Sequence, residues 1–253
     1  MNKEQMIEKI GQLPEFELVK VAVDNKDQWE MQPNHKAVVE KGKSHAVAYV
    51  TNRYHLAQMS EVFMPIALGI EDFSGQLFWY GGKGVMNINP TLPEFSDGEE
   101  KFGITCINSV DKSTSIVIKF NVMVNSMCLG FPKKMAAFSK NHSKKGFKIT
   151  KDYIEMVTKV KTAWKNIINQ FPNLKITADD LPAVCEIFSM SKKLRDTLEI
   201  EIKYNQKEYN AWDIVELRLD EISNKDYTSD VHKQEALNRL CNQIFNYATA
   251  AGI

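Results

Sequence analysis

Lysine is the residue type whose placement in this chain most directly implies chemistry. Between Lys133 and Lys165 stand ten lysines and two acids, Asp152 and Glu155, in a 253-residue sequence whose 32 basic and 32 acidic residues cancel overall. The densest part holds Lys133, Lys134, Lys140, His142, Lys144, Lys145 and Lys148. A lysine beside a phosphate displaces condensed counterions, so such a run attracts a polyanion without reading its sequence and with a steep salt dependence. The competing reading is a solvated linker whose lysines serve solubility. His142 also has two readings: an imidazolium donor to phosphate, since a nearby anion favours the protonated ring, or a capping or packing side chain.

The basic residues are 28 lysines and four arginines, Arg53, Arg195, Arg218 and Arg239. Arginine is the usual side chain for bidentate reading of bases and phosphates, so this balance suits diffuse backbone attraction. Phe78-Trp79-Tyr80 precedes Gly81-Gly82-Lys83-Gly84, which offers aromatic rings and a cation at one glycine-rich tip. Stacking of bases on Trp79 beside Lys83 follows from that arrangement. Strand alternation puts Phe78 and Tyr80 on one face and Trp79 on the other, so at least one face belongs to a core. Arg53 and Lys83 are the cations expected to line a groove with the lysine run.

Other chemistries lack their constellations. Gly81 to Gly84 is not a phosphate-binding loop, because GxxxxGK[ST] leading into a helix is absent. His35, His45 and His55 recur every ten residues, but no spacing converges them and no cysteine or acid pair completes a metal site. There is no GxSxG elbow, no HExxH and no paired Cys and His, and Asp179-Asp180 reads as a helix start. No catalytic residue, metal or cofactor is therefore expected. Cys106, Cys128, Cys185 and Cys241 show no CxxC spacing and read as small buried hydrophobes.

These residues need a scaffold. The first ten residues have a helical, amphipathic pattern and not that of a secretory signal, and no run of about 18 apolar residues occurs, which predicts a cytoplasmic protein with no membrane partner. Phe16 to Val23 has strand composition, and 37–40 with 45–50 form a hairpin around Lys41-Gly-Lys-Ser44. Ser60 to Gly69 reads as a short helix capped by Ser60 and bent at Pro65. Strands 76–80 and 85–88 form a second hairpin, 89–100 a long loop, and 102–107 with 115–124 a third hairpin.

From Thr150 the period becomes 3.6. Ile154, Val157, Val160, Trp164, Ile167 and Ile168 share one face of a helix that ends before Pro172. Thr177-Ala-Asp-Asp180 reads as a capping box for a helix over 179–188, and further helices fit 192–204, 209–222 and 229–250. Residues 176–253 carry fourteen acids and nine bases, the opposite sign to the lysine run. The predicted class is α+β: antiparallel β-hairpins with one or two short helices over 1–149, then a helical region over 150–253 packed on them.

Phe120-Asn-Val-Met-Val-Asn125, followed by Phe138-Ser-Lys-Asn-His142-Ser, resembles a phage/plasmid-like domain-of-unknown-function family. Its members show an R-V-V-C-x-N strand exit and then R-H-T/S. Asn125 matches the Asn and His142 the His; the family's Arg and Cys fall near Asn121 and Val124, and Lys140 with Asn141 replaces the Arg before His. Tyr54, Phe63-Met-Pro65, Gly81-Gly82 and Ala211-Trp-Asp213 follow the family's order, so the likeness spans most of the chain. The family carries no established activity to transfer. Its setting, with hairpins, helix and a basic segment, is distantly similar to Red-beta-type single-strand annealing proteins, an analogy of fold.

Two functions follow as expectations. The first is sequence-independent binding or annealing of single-stranded DNA through the lysine-rich junction, as a phage- or plasmid-type recombination protein that oligomerises along the strand. The second is an interaction protein that docks on a host enzyme or defence protein through its acidic helical region.

Overall fold

The computed structural model describes the chain outside residues 25–28, 92–94, 98–99, 112, 114, 133–137 and 141–152, and describes the backbone alone at 29, 97, 100, 138–140 and 153–158. The protein is α+β, with antiparallel sheets followed by a helical C-terminal region. Helix α1 (Lys3–Gly11) starts from a capping box in which Asn2 and Gln5 exchange side-chain and backbone hydrogen bonds, both 3.0 Å. It turns Met6 and Ile10 inward. A small sheet follows: β1 (Phe16–Asp24), β2 (Trp29–Glu40) and β3 (Ala46–Thr51), in that order.

Helix α2 (Met59–Gly69) is capped by Gln58 and not by Ser60. The Gln58 backbone N–H donates to Glu61 at 2.9 Å, while its side-chain amide exchanges hydrogen bonds with the backbone of Phe16, at 3.0 and 2.8 Å. The cap thus moves two residues upstream because Gln58 also ties the helix to β1. Pro65 lies within the helix.

The central sheet has the order β10-β8-β7-β5-β4, built from β4 (Phe73–Tyr80), β5 (Lys83–Pro90), β7 (Glu100–Ser109), β8 (Ile116–Val124) and β10 (Phe138–Lys140). Short β6 (Ser96–Asp97) pairs with β7, and β9 (Met127–Gly130) with β8. Gly81 and Gly82, with φ of 57° and 85°, make the two-residue turn between β4 and β5 that a right-handed hairpin twist demands. Strand β5 runs on to Pro90 and β6 follows, so the expected loop over 89–100 is partly sheet.

The faces of this sheet differ. Leu77, Met86, Ile88, Ile104, Ile118 and Phe120 join α1 and α2 in an apolar layer. The opposite face receives the last helix and carries polar side chains. Helices α3 (Tyr153–Gln170), α4 (Leu181–Ile187), α5 (Lys192–Lys203), α6 (Ala211–Asn224) and α7 (Asp230–Ala250) make up the C-terminal region. Thr177 and Asp180 bond reciprocally as a capping box would, yet Asp180 is the cap and α4 starts at Leu181, ahead of Pro182. A ladder of β11 (Lys175–Ile176) with β12 (Tyr209–Asn210) precedes α6, which Asn210 caps. One buried apolar cluster runs from Met6 through Phe131 and Trp164 to Ala248.

Candidate nucleic-acid interface

The chain on either side of residues 133–137 pairs with the edge of the central sheet. Strand β9 pairs with one half of β8, where Gly130 faces Asn121, and β10 pairs with the other half, where Phe138 faces Ile118. On β8 only Lys119 and Phe120 separate those partners, whereas residues 131–137 separate them on the other side. The chain therefore leaves the sheet edge just before Lys133 and returns to it before Lys140.

The departure point is tightly held. The β8–β9 turn uses Asn125 and Ser126, with φ of 47° and 63°, a left-handed pair that asparagine tolerates better than most residues. Asn125 thus shapes the strand exit as a turn residue. The Gly130 N–H donates to Asn238 at 2.9 Å, and its carbonyl accepts from the Lys119 ammonium at 3.2 Å. A Cβ at position 130 would collide with both side chains, so only glycine lets them close on the backbone. The Phe131 N–H then bonds the Phe120 carbonyl at 2.8 Å, and its ring packs between Trp164 and Phe245, at centroid distances of 5.7 and 5.2 Å.

The exit is held by the same aromatic group. Val160, Trp164 and Ile167 of α3 are buried, matching the predicted stripe. Lys161 donates to the Ser96 carbonyl at 2.7 Å and lies over the Phe102 ring, while Lys159 and Lys165 are exposed. Phe131 and Trp164 thus bracket the densest part of the basic run, 133–148, in sequence and touch each other.

Behind this edge lies a polar seam that sequence reasoning did not single out. Thr105 donates to Asn87 at 2.7 Å and accepts from Asn121 at 3.1 Å. Asn87 donates to Gln234 at 2.9 Å, Asn89 to Asn121 at 3.2 Å, and Gln234 to the Cys128 carbonyl at 2.6 Å. All of these side chains, with Lys119 and Asn238, are buried. Gly103 makes room, because a Cβ there would strike the Asn89 and Asn121 amides. Buried polar groups are tolerated when each finds a partner, and here strands and α7 supply them to one another. The signal was present as polar residues at alternate positions of otherwise apolar strands, 87/89 and 119/121, and as amides four apart at 234, 238 and 242.

The seam includes two thiols. Burial pushes Cys128 up to about 12, against an opposing Thr105 hydrogen bond and the Lys119 charge. Burial likewise lifts Cys241 to about 12. All four cysteines are free and buried, as small hydrophobes.

Of the predicted site residues, those that are described do not gather into one groove. Lys133, Lys134, His142, Lys144, Lys145 and Lys148 lie outside the described residues, and Lys140 is placed by its backbone in β10, opposite Ile116. Lys83 is mostly buried and forms an ion pair with Glu235 of α7, so an acid already matches its charge. Trp79 is 40% exposed on the opposite face of its strand, with the Lys9 ammonium 5.5 Å from its ring centre. Tyr80 packs edge-on against His232 at 5.3 Å. Arg53 is exposed in the turn after β3. Two clefts, one of about 500 Å³ between α4 and α5 and one of about 400 Å³ on the small sheet, are lined by none of these residues.

Among the described residues no three His, Cys, Asp or Glu side chains gather as a metal ligand set, and no helix is long and apolar enough to cross a membrane. In comparisons with known proteins, no family model, no curated protein and no solved structure matches the chain.

Proposed function

We propose that this protein binds single-stranded nucleic acid without reading its sequence, with Lys133, Lys134, Lys140, His142, Lys144, Lys145 and Lys148 contacting the phosphates. The observation that carries this is the bracketing of the basic run: the chain leaves the sheet edge at Phe131, pairs with it again at 138–140, and closes through Phe131 on Trp164. A linker between independent bodies has no need for ends that touch. A cationic segment tied down at three places presents its charges with less conformational entropy to lose on binding. The lysine-to-arginine balance favours backbone attraction, and the acidic C-terminal region repels a strand. Membership in a phage- or plasmid-type strand-annealing process, in the cytoplasm of a host, fits this chemistry.

Fluorescence anisotropy of a labelled oligothymidylate across a salt series tests the reading. Several phosphate contacts require log affinity to fall with log salt at about 0.7 per contact. Lys144→Gln with Lys145→Gln should shallow that slope. An affinity independent of salt, or absent binding, would overturn the proposal.

A second reading, docking on a host protein, draws on α5, where Ile200 and Tyr204 are 53% and 77% exposed in the acidic region. Retention of one defined partner after nuclease treatment, lost in Ile200→Ser with Tyr204→Ser, would favour it.

A further inference from the structure

On the small sheet Lys20 of β1 stands directly opposite Lys36 of β2. Directly opposed residues of an antiparallel pair share a face with Cβ atoms about 5 Å apart, so two ammonium groups are brought together. Every other lysine in a described strand faces an uncharged residue: Lys83 faces Ser109, Lys101 faces Ser96, Lys119 faces Thr105, Lys140 faces Ile116 and Lys175 faces Asn210.

Nor does an acid relieve the repulsion. Lys41, Lys43, Lys83, Lys175, Lys203 and Lys207 all have carboxylate partners, whereas the side chains of Lys20 and Lys36 make no ion pair or hydrogen bond among the described residues. The register that opposes them is fixed by apolar neighbours, since Phe16 and Leu18 of β1 and Val38 of β2 turn towards the core, and a one-residue slip would expose all three.

The Asn52 N–H bonds the Asn34 carbonyl at 3.1 Å and its side chain bonds the Pro33 carbonyl, which pins the turn carrying Arg53 beside the stretch of β2 just before Lys36. The Arg53 side chain is exposed and makes no ion pair among the described residues. Two opposed ammoniums in the middle of a ladder, without a carboxylate partner among the described residues, suit a phosphodiester, whose charge converts their mutual repulsion into shared attraction, and Arg53 lies further along the same sheet.

We propose that Lys20 and Lys36, with Arg53 further along the sheet, form a second phosphate-contacting track for the bound strand, apart from the lysine run. The inference rests on the nucleic-acid reading above. The ordinary alternative is that Lys20 guards an exposed sheet edge against self-association.

The two roles separate in Lys36→Glu, measured in the full chain. Placing a carboxylate opposite Lys20 replaces repulsion with attraction, so the thermal midpoint should hold or rise under either role. Affinity for oligothymidylate should fall only if these residues touch phosphate. Lys20→Gln with Lys36→Gln should also lower the salt slope by about 1.4, two contacts' worth. A wild-type slope that is steep and unchanged in both variants overturns this contact while leaving the lysine-run reading intact. A wild type with no salt-dependent binding overturns both.

Discussion

The rings of Phe131 and Trp164 meet nearly perpendicular, with centroids 5.7 Å apart and planes at 68°, on either side of the lysine run. Both side chains are fully buried, and Phe245 of α7 completes the cluster. This contact joins, inside the protein's core, residues that lie on either side of the 133–148 stretch in sequence. Phe131→Ala should destabilise the fold by about 3–5 kcal/mol, the usual range for removing a buried aromatic ring. Urea unfolding measures this. A loss under about 1 kcal/mol would mean the ring contact does not hold the loop ends.

Gly130 is predicted to be irreplaceable by alanine. Its N–H and carbonyl are gripped by Asn238 and Lys119, and both side chains occupy the space a methyl group needs. Neither neighbour can yield without stranding a buried polar group, at about 1–3 kcal/mol each. Gly130→Ala should lower the urea midpoint markedly, while Gly11→Ala, where nothing lies within 4 Å, should not.

Thr105 links Asn87 to Asn121 by donating to one and accepting from the other. Thr105→Val keeps the shape and deletes both hydrogen bonds. The expected cost is about 2 kcal/mol, from the two amides left short of partners. Amide hydrogen exchange should quicken along β5 and β8 more than in α1.

At the β8–β9 turn, Ser126 holds a φ of 63° that glycine adopts freely. Ser126→Gly creates the Asn-Gly pair preferred in two-residue hairpin turns. It should raise stability by a few tenths to about 1 kcal/mol. A fall in the thermal midpoint would show that the serine side chain contributes something other than turn geometry.

Alkaline pH should unfold this protein through its buried acids. Burial raises the Cys128 and Cys241 thiols from 9.0 to about 12, and burial with the Asp111 charge raises Tyr54 from 10.0 to about 12. The unfolded chain releases these protons first, so their contribution is complete below about pH 9 and is lost as pH rises towards 12. Each thiol removes about 1.4 kcal/mol per pH unit across that window. Urea midpoints between pH 8 and 11 should fall steeply in the wild type and less steeply in Cys241→Ala.

Much of the scaffold was legible from local pattern. The amphipathic helix over the first ten residues, the β4–β5 hairpin with its double glycine, and the stripe Val160, Trp164 and Ile167 all follow from spacing, because a turn needing positive φ or a helix burying one face leaves a periodic trace. Strands β9 and β10 left little trace, being four and three residues long and paired only because β8 offers an edge. Gln58 displaced Ser60 as the α2 cap through its bonds to Phe16, a partner forty-two residues away.

The sequence by itself determined the α+β class, the charge contrast between the lysine run and the acidic helices, and the residues fit to meet a phosphate. Those are properties of composition and period, which the chain carries whatever its fold. Only the tertiary structure decided that Lys83 is matched by Glu235, that Lys20 and Lys36 oppose each other without an acid partner among the described residues, and that Phe131 meets Trp164. These relations join residues distant in sequence. Strand register and core packing set them, and both result from burying the whole apolar surface at once.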